Sequence, residues 1–582
     1  MTRRRRRWIE KRRRHAETVK RPSGGRRLAA GAGLTVGATL AMAGTAQATD
    51  FTVGSLADTT GTDCTVPSNT TCTLRQAILD ANASMGADRI LFNSSLTGAI
   101  TLAEEPAVIM GPTEVVGPGA SDLAVDGNSL RRVFNIDLTV VGEDVEVSGL
   151  TIQNGLGGVG AGIRNVDADL TVSDAVVTSN DGSSGTGIFS NGPSLTVERS
   201  AVTGNTAALG SPGGGIWANY DLTLRNSTVS GNTAGTEGGG VYAGYSGYSG
   251  GMYHHRGPHL IENSTIVGNT AGRDGGGVLF CGSNQEADRL TIDSSTITGN
   301  NATGTAATSG DGIGGGVASR CGVGYLGAIL ENTIVANNTA ALDDPDVNGD
   351  ALVDASFSLI ENPTGGIAEA VPGSNITGID PLLAPLADNG GDTETQALPE
   401  SSPAVDQGAT GLTSDQRAEI RPFDVPAIPN SAAAGADFSD IGAFERQADE
   451  EVVPLLSVST GGSGSGSVTG TGINCAGTAP DCSQAFNNGT AAGLTATAGS
   501  GSSFAGWTGC DNPSGNQCTM NMNGDKSVTA TFNALPASGG SPPPPASSGP
   551  TGRRAAALKK CKKKPKGPKR KKCIKRAKKL PI

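Results

Sequence analysis

Large apolar and charged side chains are scarce in this chain of 582 residues, in which aromatic residues make up 4% and charged residues 17%. A globular enzyme core of this length usually carries more large apolar side chains, so the composition argues against a conventional compact enzyme. Lysine is almost absent from the middle of the chain, where Lys526 stands alone. This absence disfavours a nucleic-acid-binding body, which needs a positive surface. No apolar run is long enough and suitably placed to predict an integral membrane protein.

Glycine and charge are unevenly distributed along the chain. Glycine accounts for 87 residues, roughly twice its usual share. The formal net charge is −11, yet 13 of the 44 Lys and Arg residues lie in residues 1–27 and 16 lie in residues 553–582. The chain therefore consists of an acidic, glycine-rich body between two basic ends.

The first basic end is followed by an apolar stretch that closes on Ala46-Gln47-Ala48. A positive start, a short apolar region and an A-x-A site are typical of a secretory signal peptide. We expect residues 1–48 to be this signal, with cleavage after Ala48 and a secreted or cell-surface location. Arg26-Arg27 leaves a twin-arginine signal as the alternative, although the residues around the pair do not otherwise match that pattern.

The ten cysteines form five local pairs, and export makes disulfides plausible for them. We expect the pairs Cys64/Cys72, Cys281/Cys321, Cys475/Cys482, Cys510/Cys518 and Cys561/Cys573, although connectivity does not follow from sequence alone. Metal binding by cysteine is the weaker interpretation, because the chain has no C-x-x-C pair and no Cys/His cluster.

The basic C-terminal segment, residues 553–582, follows a Pro/Gly/Ser-rich linker at 535–552. Pro565, Gly567 and Pro568 interrupt it between its two cysteines, so a short hairpin would bring those cysteines together. The segment is either a disordered solubilising tail or an electrostatic anchor to anionic wall polymers or lipid head groups.

Internal repeats decide the predicted architecture. Six segments share an aliphatic residue that is followed three positions later by Asn, and most continue into a Gly run and a second aliphatic residue. The aligned pairs are Val177/Asn180, Val202/Asn205, Val229/Asn232, Ile266/Asn269, Ile297/Asn300 and Ile334/Asn337. A fixed short pattern at a variable period predicts an all-β, right-handed parallel β-helix with inward aliphatic residues and stacked Asn side chains. A β-sandwich is the alternative, but it would not explain the recurrent Asn and triple Gly.

Two further features fit this β-helix. Cys281 and Cys321 end similar segments in consecutive coils, which would place them within disulfide distance. Residues 49–125 comprise the cap and first coils, and Leu74, Ala77, Ile78 and Ala81 recur in them at helical spacing. They predict an amphipathic helix that covers the open end of the first coil.

Several segments resemble known families. Residues 72–77, CTLRQA, resemble the CSLREA signature of secreted bacterial proteins with two substitutions, and the repeats of 126–379 are similar to right-handed β-helix surface proteins and polymorphic outer-membrane adhesins. Residues 380–447, with DIGAFE near their end, resemble the choice-of-anchor Q domain, which implies that they end the β-helix. Residues 454–534, with FAGW and VTATF, resemble a divergent internalin B-type repeat, a small all-β module. These resemblances imply architecture and not function.

The repeat alignment predicts one outward row that could carry catalysis: Ser173, Glu198, Arg225, Glu262, Asp293 and Leu330. Glu262 and Asp293 would lie about 5 Å apart, near the spacing of a retaining glycosidase. A surface ladder of charges is the alternative that we favour, because repeats stack equivalent residues automatically.

Other candidate sites are weaker. Asp343, Asp344 and Asp346 could bind Ca²⁺, but their spacing does not match an EF-hand, and an acidic solvated loop explains them as well. We expect no other metal or cofactor. An oversized loop between Val241 and Leu260 contains the candidate ligand-binding residues Tyr245, Tyr248, Tyr253, His254 and His255. The alternative for it is a Gly-rich loop with incidental aromatic residues.

The sequence therefore predicts an exported bacterial β-helix protein without a convincing active site. We expect a non-catalytic adhesin or a protein that binds an envelope polyanion, a polysaccharide or a neighbouring cell surface, with no nucleic-acid partner and no transmembrane span. A polysaccharide lyase or hydrolase is the second hypothesis, and a purely structural spacer is the third.

Overall fold

The computed structural model describes residues 48–61, 64–65, 70–244, 258–282, 285–304, 312–319, 326–447, 453–475, 482–486, 488–535 and 553–580. Short strands dominate the first part of the chain. The first nine are β1 (Asp50–Val53), β2 (Asp88–Phe92), β3 (Gly98–Thr101), β4 (Val108–Ile109), β5 (Thr113–Val116), β6 (Leu123–Asp126), β7 (Phe134–Asp137), β8 (Asp144–Ser148) and β9 (Thr151–Gln153).

The repeat region continues this series of strands. They are β10 (Leu156–Val159), β11 (Ile163–Val166), β12 (Asp169–Ser173), β13 (Val176–Thr178), β14 (Asp181–Ser184), β15 (Ile188–Asn191), β16 (Ser194–Glu198), β17 (Ala201–Thr203), β18 (Thr206–Leu209), β19 (Ile216–Ala218), β20 (Asp221–Arg225), β21 (Thr228–Ser230), β22 (Thr233–Gly235), β23 (Val241–Gly244), β24 (His259–Glu262), β25 (Thr265–Val267), β26 (Thr270–Ala271), β27 (Val278–Cys281), β28 (Leu290–Asp293), β29 (Thr296–Thr298), β30 (Asn301–Ala302), β31 (Val317–Ser319), β32 (Ile329–Glu331), β33 (Ile334–Ala336), β34 (Thr339–Ala340), β35 (Val347–Ser356), β36 (Leu359–Ile360), β37 (Gly365–Glu369) and β38 (Ile376–Thr377). One 3₁₀ turn, Glu286–Asp288, precedes β28.

Every pairing among these strands is parallel, and each strand pairs with its equivalent in the next coil. One sheet of 20 strands contains two columns of stacked strands, and β35 joins them because it pairs with the last strand of each, β31 and β32. Column one runs β4, β7, β11, β15, β19, β23, β27 and β31, and column two runs β1, β2, β5, β8, β12, β16, β20, β24, β28 and β32. A sheet of 11 strands from β3 to β38 and a sheet of seven from β10 to β34 form the other sides. The predicted parallel β-helix is confirmed.

Alternation along each strand fills the interior. In β12, Leu170 and Val172 are buried and Thr171 between them is half-buried. The same register places Leu170 on Leu195 and Val172 on Val197 in the next coil. Stacked coils therefore bury continuous aliphatic columns, which explains how a chain poor in aromatic residues forms a core.

Inward Asn side chains form a continuous ladder between the coils, as predicted. Each amide nitrogen donates to the amide oxygen of the next Asn, over distances of 2.8–3.0 Å. Each amide oxygen also accepts from the backbone N–H of the preceding ladder residue. The ladder consists of Asn180, Asn205, Asn232, Asn269, Asn300 and Asn338, all of them buried.

The sixth repeat corrects the predicted alignment by one residue. Val335, not Ile334, pairs with Ile297, and the last ladder residue is Asn338, not Asn337. The sequence IVANN offers two aliphatic residues followed by two Asn residues, so either register satisfied the pattern. A shift of one residue moves every side chain of a strand to its other side. Val335 therefore points into the interior of the β-helix, and Ile334, which is also buried, packs on the outer side with apolar residues of 380–447.

A helix covers the start of the β-helix. Helix α1 spans Leu74–Ala83 and buries the four apolar residues expected. The hydroxyl of Thr73 accepts from the backbone N–H of Gln76 and caps it, and Cys64 and Cys72 form a disulfide just before it. Contacts of α1 with β1 and β2 give these side chains their apolar partners, so the cap helix is confirmed.

Residues 380–447, called the strap below, cross the outside of the 11-stranded sheet with almost no regular secondary structure. The backbone oxygen of Glu394 accepts a hydrogen bond from the hydroxyl of Thr228. Further along, the Gln416 amide oxygen accepts from the hydroxyl of Thr265 at 2.7 Å. The strap therefore runs back along several coils and is held by polar contacts to outward Thr residues.

A small all-β module follows the strap, as predicted. Its strands are β39 (Leu455–Gly461), β40 (Gly466–Gly470), β41 (Ile473–Cys475), β42 (Ser483–Ala485), β43 (Thr490–Ala498), β44 (Ser502–Thr508), β45 (Asn512–Ser514), β46 (Gln517–Met522) and β47 (Lys526–Ala534). They form sheets of four and five strands over a separate apolar core. The chain then reaches α2 (Arg553–Lys562) and α3 (Pro568–Ala577).

Candidate functional site

An outward row of charged side chains runs along column two. The registers place Glu198 beside Arg225, Arg225 beside Glu262, and Glu262 beside Asp293. The Nε of Arg225 lies 3.2 Å from Oε1 of Glu262. The prediction that Leu330 is the next member of the row is wrong, because the sixth repeat was aligned one residue too early. Leu330 is buried opposite Ile292, and Glu331 stands beside Asp293.

Asp293 is the member of this row with a strongly altered titration. Burial, together with the neighbouring negative charges of Glu331 and Glu262, raises the pKa of Asp293 to about 7. A hydrogen bond from the Ser294 hydroxyl at 2.9 Å and the positive charge of Arg421 act in the opposite direction. The row therefore combines two carboxylates with an acid that holds its proton near neutral pH.

The strap borders this row on one side. The hydroxyl oxygens of Ser294 and Thr410 are hydrogen-bonded at 3.0 Å. The side-chain nitrogen of Asn263 donates to the backbone oxygen of Ser414 at 2.8 Å, and Arg421 donates to Asn263 Oδ1 at 3.3 Å. The carboxylates are thus at the edge of the strap, where access from solvent is restricted.

Buried charges hold the strap together in place of regular hydrogen bonding. Arg421 and Glu445 form an ion pair at 2.8 Å with both side chains fully buried. The other oxygen of Glu445 accepts from the backbone of Phe423, and the Asp440 carboxylate accepts from the backbone of Arg446. Carboxylates thus satisfy the amide groups of an irregular segment. We interpret DIGAFE, which supplies Asp440 and Glu445, as structural.

The three candidate Ca²⁺ ligands do not converge. Asp346 is buried and caps the Asn ladder, because its Oδ1 accepts from the amide of Asn338 at 2.9 Å. Burial raises the pKa of Asp346 to about 7. Asp344 instead accepts from Asn348, and Asp343 is exposed. Within the described ranges, no group of three His, Cys, Asp or Glu side chains has the arrangement of a metal site.

The candidate binding residues of the Tyr/His loop lie outside the described residues: Tyr245, Tyr248, Tyr253, His254 and His255. Just before them, column one carries a feature that the sequence reasoning missed. Phe189, Trp217 and Tyr242 stand in register on the outer side of three consecutive coils, where Phe189 and Trp217 are half-buried and Tyr242 is buried. The signal was present, since Trp217 and Tyr242 each follow three glycines and one aliphatic residue, and Phe189 follows the similar segment GTGI. We call these three residues the aromatic row.

The basic C-terminal segment is a helical hairpin rather than an irregular tail. Helices α2 and α3 pack against each other, and Cys561 and Cys573 close the hairpin with Cα atoms 5.6 Å apart. All twelve lysines of residues 553–580 are exposed. Among the described residues, no acidic side chain forms an ion pair with them. The hairpin thus presents a dense positive surface of fixed shape.

Four of the predicted disulfides are present: Cys64–Cys72, Cys475–Cys482, Cys510–Cys518 and Cys561–Cys573. Cys281 is disulfide-bonded as well, and its predicted partner Cys321 lies outside the described residues. Disulfides of this number are typical of proteins that fold outside the cytoplasm.

Comparison with known proteins assigns the small module. Residues 456–536 match the family model of the divergent InlB B-repeat domain, which agrees with the resemblance of residues 454–534. No curated protein and no solved structure matches the chain. None of the described helices has the length and apolar character needed to cross a membrane. A repeat domain of this family indicates a bacterial surface protein.

Proposed function

We propose that this chain is an exported bacterial surface protein that binds polymers without cleaving them, and that its basic hairpin attaches it to an anionic envelope polymer. The observation that carries the proposal is the hairpin formed by α2 and α3. Its 16 basic residues, with no acidic residue in 553–582, form a unit closed by one disulfide. The InlB-type module and the disulfides support an extracellular location.

The chemistry of the hairpin suits a partner with repeated negative charges. Lysine outnumbers arginine in the hairpin by twelve to four, and lysine acts as a flexible point charge rather than a planar fork for one carboxylate. Each basic residue near an anionic surface contributes about 1 kcal/mol, and salt screens this attraction. Binding should therefore be strong at low salt, tolerant of polymer sequence and sensitive to ionic strength.

Sedimentation with polymers tests the attachment. The full chain, a chain lacking residues 553–582, and a variant with Lys562, Lys563, Lys564 and Lys566 changed to Gln are mixed with polygalacturonate, a glycerol-phosphate polymer and neutral cellulose. Vesicles with and without phosphatidylglycerol distinguish a lipid source of the negative charge. We expect the four-lysine variant to bind the polyanions at least 100-fold more weakly at low salt. Equal binding by the truncated chain would contradict the proposal.

The acidic row favours a second candidate function, cleavage of a polysaccharide. Asp293 holds a proton near neutral pH beside Glu262 and Glu331, and a protonated acid next to a carboxylate is what glycoside cleavage requires. The same polymers, scored for new reducing or unsaturated ends, test this function. Cleavage that Asp293→Asn or Glu262→Gln abolishes would establish catalysis and overturn the non-catalytic proposal. Neither binding nor cleavage would favour the structural spacer.

A further inference from the structure

We propose that the aromatic row on column one is a binding platform for a neutral polysaccharide chain that runs along the axis of the β-helix. This inference names a ligand class for the β-helix itself, and it rests on the polymer-binding role proposed above. The row combines three features: two half-buried rings on consecutive coils, Phe189 and Trp217, with the buried Tyr242 packed behind Trp217; a flank of glycine backbone; and neighbouring amide and charged groups that cancel in net charge.

The rings are held in fixed positions before any ligand arrives. The ring centroids of Phe189 and Trp217 are 5.4 Å apart in an edge-to-face arrangement, and those of Trp217 and Tyr242 are 5.2 Å apart. The indole N–H of Trp217 donates to the backbone oxygen of Gly244 at 3.2 Å. Phe189 and Trp217 are half-buried, and Tyr242 is buried against Trp217. Rings fixed in this way lose little conformational entropy when a ligand stacks on them.

Glycine backbone borders the rings and keeps other side chains away from them. Gly185 adopts φ of +52°, and a Cβ there would lie 2.9 Å from Phe189 Cβ and 3.1 Å from Trp217 Cβ. Gly213 adopts φ of +69°, and its Cβ would lie 3.0 Å from Trp217 Cβ. The same close contact recurs beside Leu279 and Ala318, where a Cβ at Gly275 or Gly314 would lie 2.9 Å from the facing Cβ. The glycines are therefore required by the turn of the coils, and beside Phe189 and Trp217 they also leave the flank free of larger side chains.

Polar groups lie at the end of the row and on its other flank. They suit a ligand that is rich in hydroxyl groups and carries no net charge. Arg164 stands in register with Phe189 at the end of the row, and its guanidinium lies 3.1 Å from Asp137. The two charges offset each other. Asn191, two residues beyond Phe189, accepts from Asn219 at 2.9 Å. Its half-buried side-chain nitrogen makes no hydrogen bond within the described part of the chain, so it is available as a donor.

The spacing and position of the row favour a polysaccharide over a small molecule. Equivalent residues of stacked parallel strands repeat at about 4.8 Å, close to the advance of one sugar unit along an extended chain. Sugar rings present apolar C–H faces to aromatic rings and hydroxyl groups to amides, which is the combination found here. The strap contacts described above are made to column two and to the 11-stranded sheet, and the aromatic row lies on column one.

Fluorescence of Trp217 provides a direct test with the full chain. Trp8→Phe and Trp507→Phe leave Trp217 as the single tryptophan. Cellohexaose, chitohexaose, laminarihexaose and mannohexaose are titrated as probes, and insoluble cellulose, chitin, β-1,3-glucan and mannan are used in sedimentation. We expect at least one of these glycans to change the Trp217 emission saturably and to sediment the protein. If none of them does either, the proposal is wrong.

Substitutions then locate the site. In the wild-type background, Trp217→Ala and Phe189→Ala should each weaken sedimentation with the responding glycan at least tenfold, whereas Trp507→Ala in the separate module should not. Trp217→Leu fills most of the volume and should weaken binding similarly, which covers a failure of the alanine variant to fold. Binding that survives both Trp217 variants would overturn the proposal. So would binding to the responding glycan that salt abolishes, because the row is neutral.

The same experiments separate this inference from the attachment by the hairpin. Deleting residues 553–582 should abolish binding to polygalacturonate and leave binding to the neutral glycan unchanged. Trp217→Leu should do the reverse. A truncated chain that loses the neutral glycan would place that binding on the hairpin and contradict the role of the aromatic row. Loss of polyanion binding in Trp217→Leu would instead contradict the proposed function of the hairpin.

Discussion

Replacing Asn232 with alanine breaks the Asn ladder near its middle. The amide nitrogen of Asn232 donates to the Val202 backbone oxygen at 2.9 Å and to Asn269 Oδ1 at 2.9 Å. Its amide oxygen accepts from the backbone and side-chain nitrogens of Asn205 at 3.0 and 2.9 Å. All three Asn residues are inaccessible to solvent. Alanine removes both the donor and the acceptor while the surrounding backbone is held by the strands.

The expected loss follows from the groups that the substitution leaves without a partner. The Val202 oxygen and both nitrogens of Asn205 each lose one hydrogen bond in the dry interior. A buried group left unsatisfied costs about 1–3 kcal/mol. Three such groups would cost about 3–9 kcal/mol, and we expect a loss in the free energy of unfolding of about 3–6 kcal/mol, because Asn205 Nδ2 keeps its hydrogen bond to the Val177 oxygen. That is a large part of the stability of a typical domain, which is about 5–15 kcal/mol.

Urea unfolding measures this loss, with Trp217 as the reporter in the Trp8→Phe, Trp507→Phe background. Ser230→Ala is the matched control, because Ser230 lies on the outer face of the strand just before Asn232 and is half-buried. We expect the control to change the free energy of unfolding by less than about 0.5 kcal/mol, as is usual for surface positions.

A second ladder variant separates hydrogen bonding from the loss of volume. Asn232→Asp keeps the size of the side chain and its acceptor oxygen but removes both donated hydrogen bonds and buries a charge. It should destabilise strongly at pH 7 and recover part of the loss below pH 4, where the protonated acid donates again. If Asn232→Ala costs no more than Ser230→Ala, the hydrogen-bonded ladder does not stabilise the coils and the reasoning is refuted.

Three further predictions concern the acidic row, the strap and the glycine runs. The pKa of Asp293 is raised to about 7, so the folded state holds a proton that the unfolded state releases above about pH 4. Stability should therefore fall as pH rises from 4 to 7, and Asp293→Asn should remove the share of this slope that comes from Asp293, gaining up to about 4 kcal/mol at pH 8 in urea unfolding, while Asp346 and Glu445, whose pKa values are also raised to about 7, keep the rest. Arg421→Met leaves Glu445 buried without its ion-pair partner and should cost about 3–5 kcal/mol at pH 8, seen as a lower melting temperature. Gly238→Ala should destabilise more than Gly268→Ala in the same assay: both glycines have φ near +68°, but a Cβ at Gly238 meets an aromatic side chain at 2.8 Å and one at Gly268 meets nothing within 4 Å.

Features that repeat could be predicted from the sequence, because each repeat supplies an independent copy of the same constraint. Inward aliphatic residues and Asn residues recur in six segments, so one of them could be misaligned without changing the architecture. The misaligned segment was the one around Ile334, where neighbouring residues of the same type satisfied both registers. The cap helix and the basic hairpin were predictable for a different reason. Helical spacing in the first, and the breakers Pro565 and Gly567 in the second, are local signals.

The course of the strap could not be predicted from such signals. It contains no periodic pattern, and its position depends on contacts made across long sequence separations, such as the hydrogen bond between Thr228 and Glu394. The burial of its charged residues could not be predicted either. In the sequence Arg421 and Glu445 resemble surface residues, and only the folded structure shows that they form a buried ion pair. The aromatic row was missed because its members are single residues in separate repeats, and they become a cluster only when the register stacks them.

Stacking in register also explains why the repeats alone could not distinguish structural from functional rows. A parallel β-helix turns any residue that recurs at one position into a row, so a row by itself does not show selection for binding. The charged row and the aromatic row differ in the groups that surround them. The charged row contains Arg225 beside Glu262 and lies against the strap, both of which are expected of a row that serves stability. The aromatic row leaves Phe189 and Trp217 half-buried on column one, and beside them the side-chain nitrogen of Asn191 has no hydrogen-bond partner among the described residues. Packing alone does not require large aromatic side chains to stay partly exposed beside a hydrogen-bond donor, and this difference is the reason for assigning the ligand to column one.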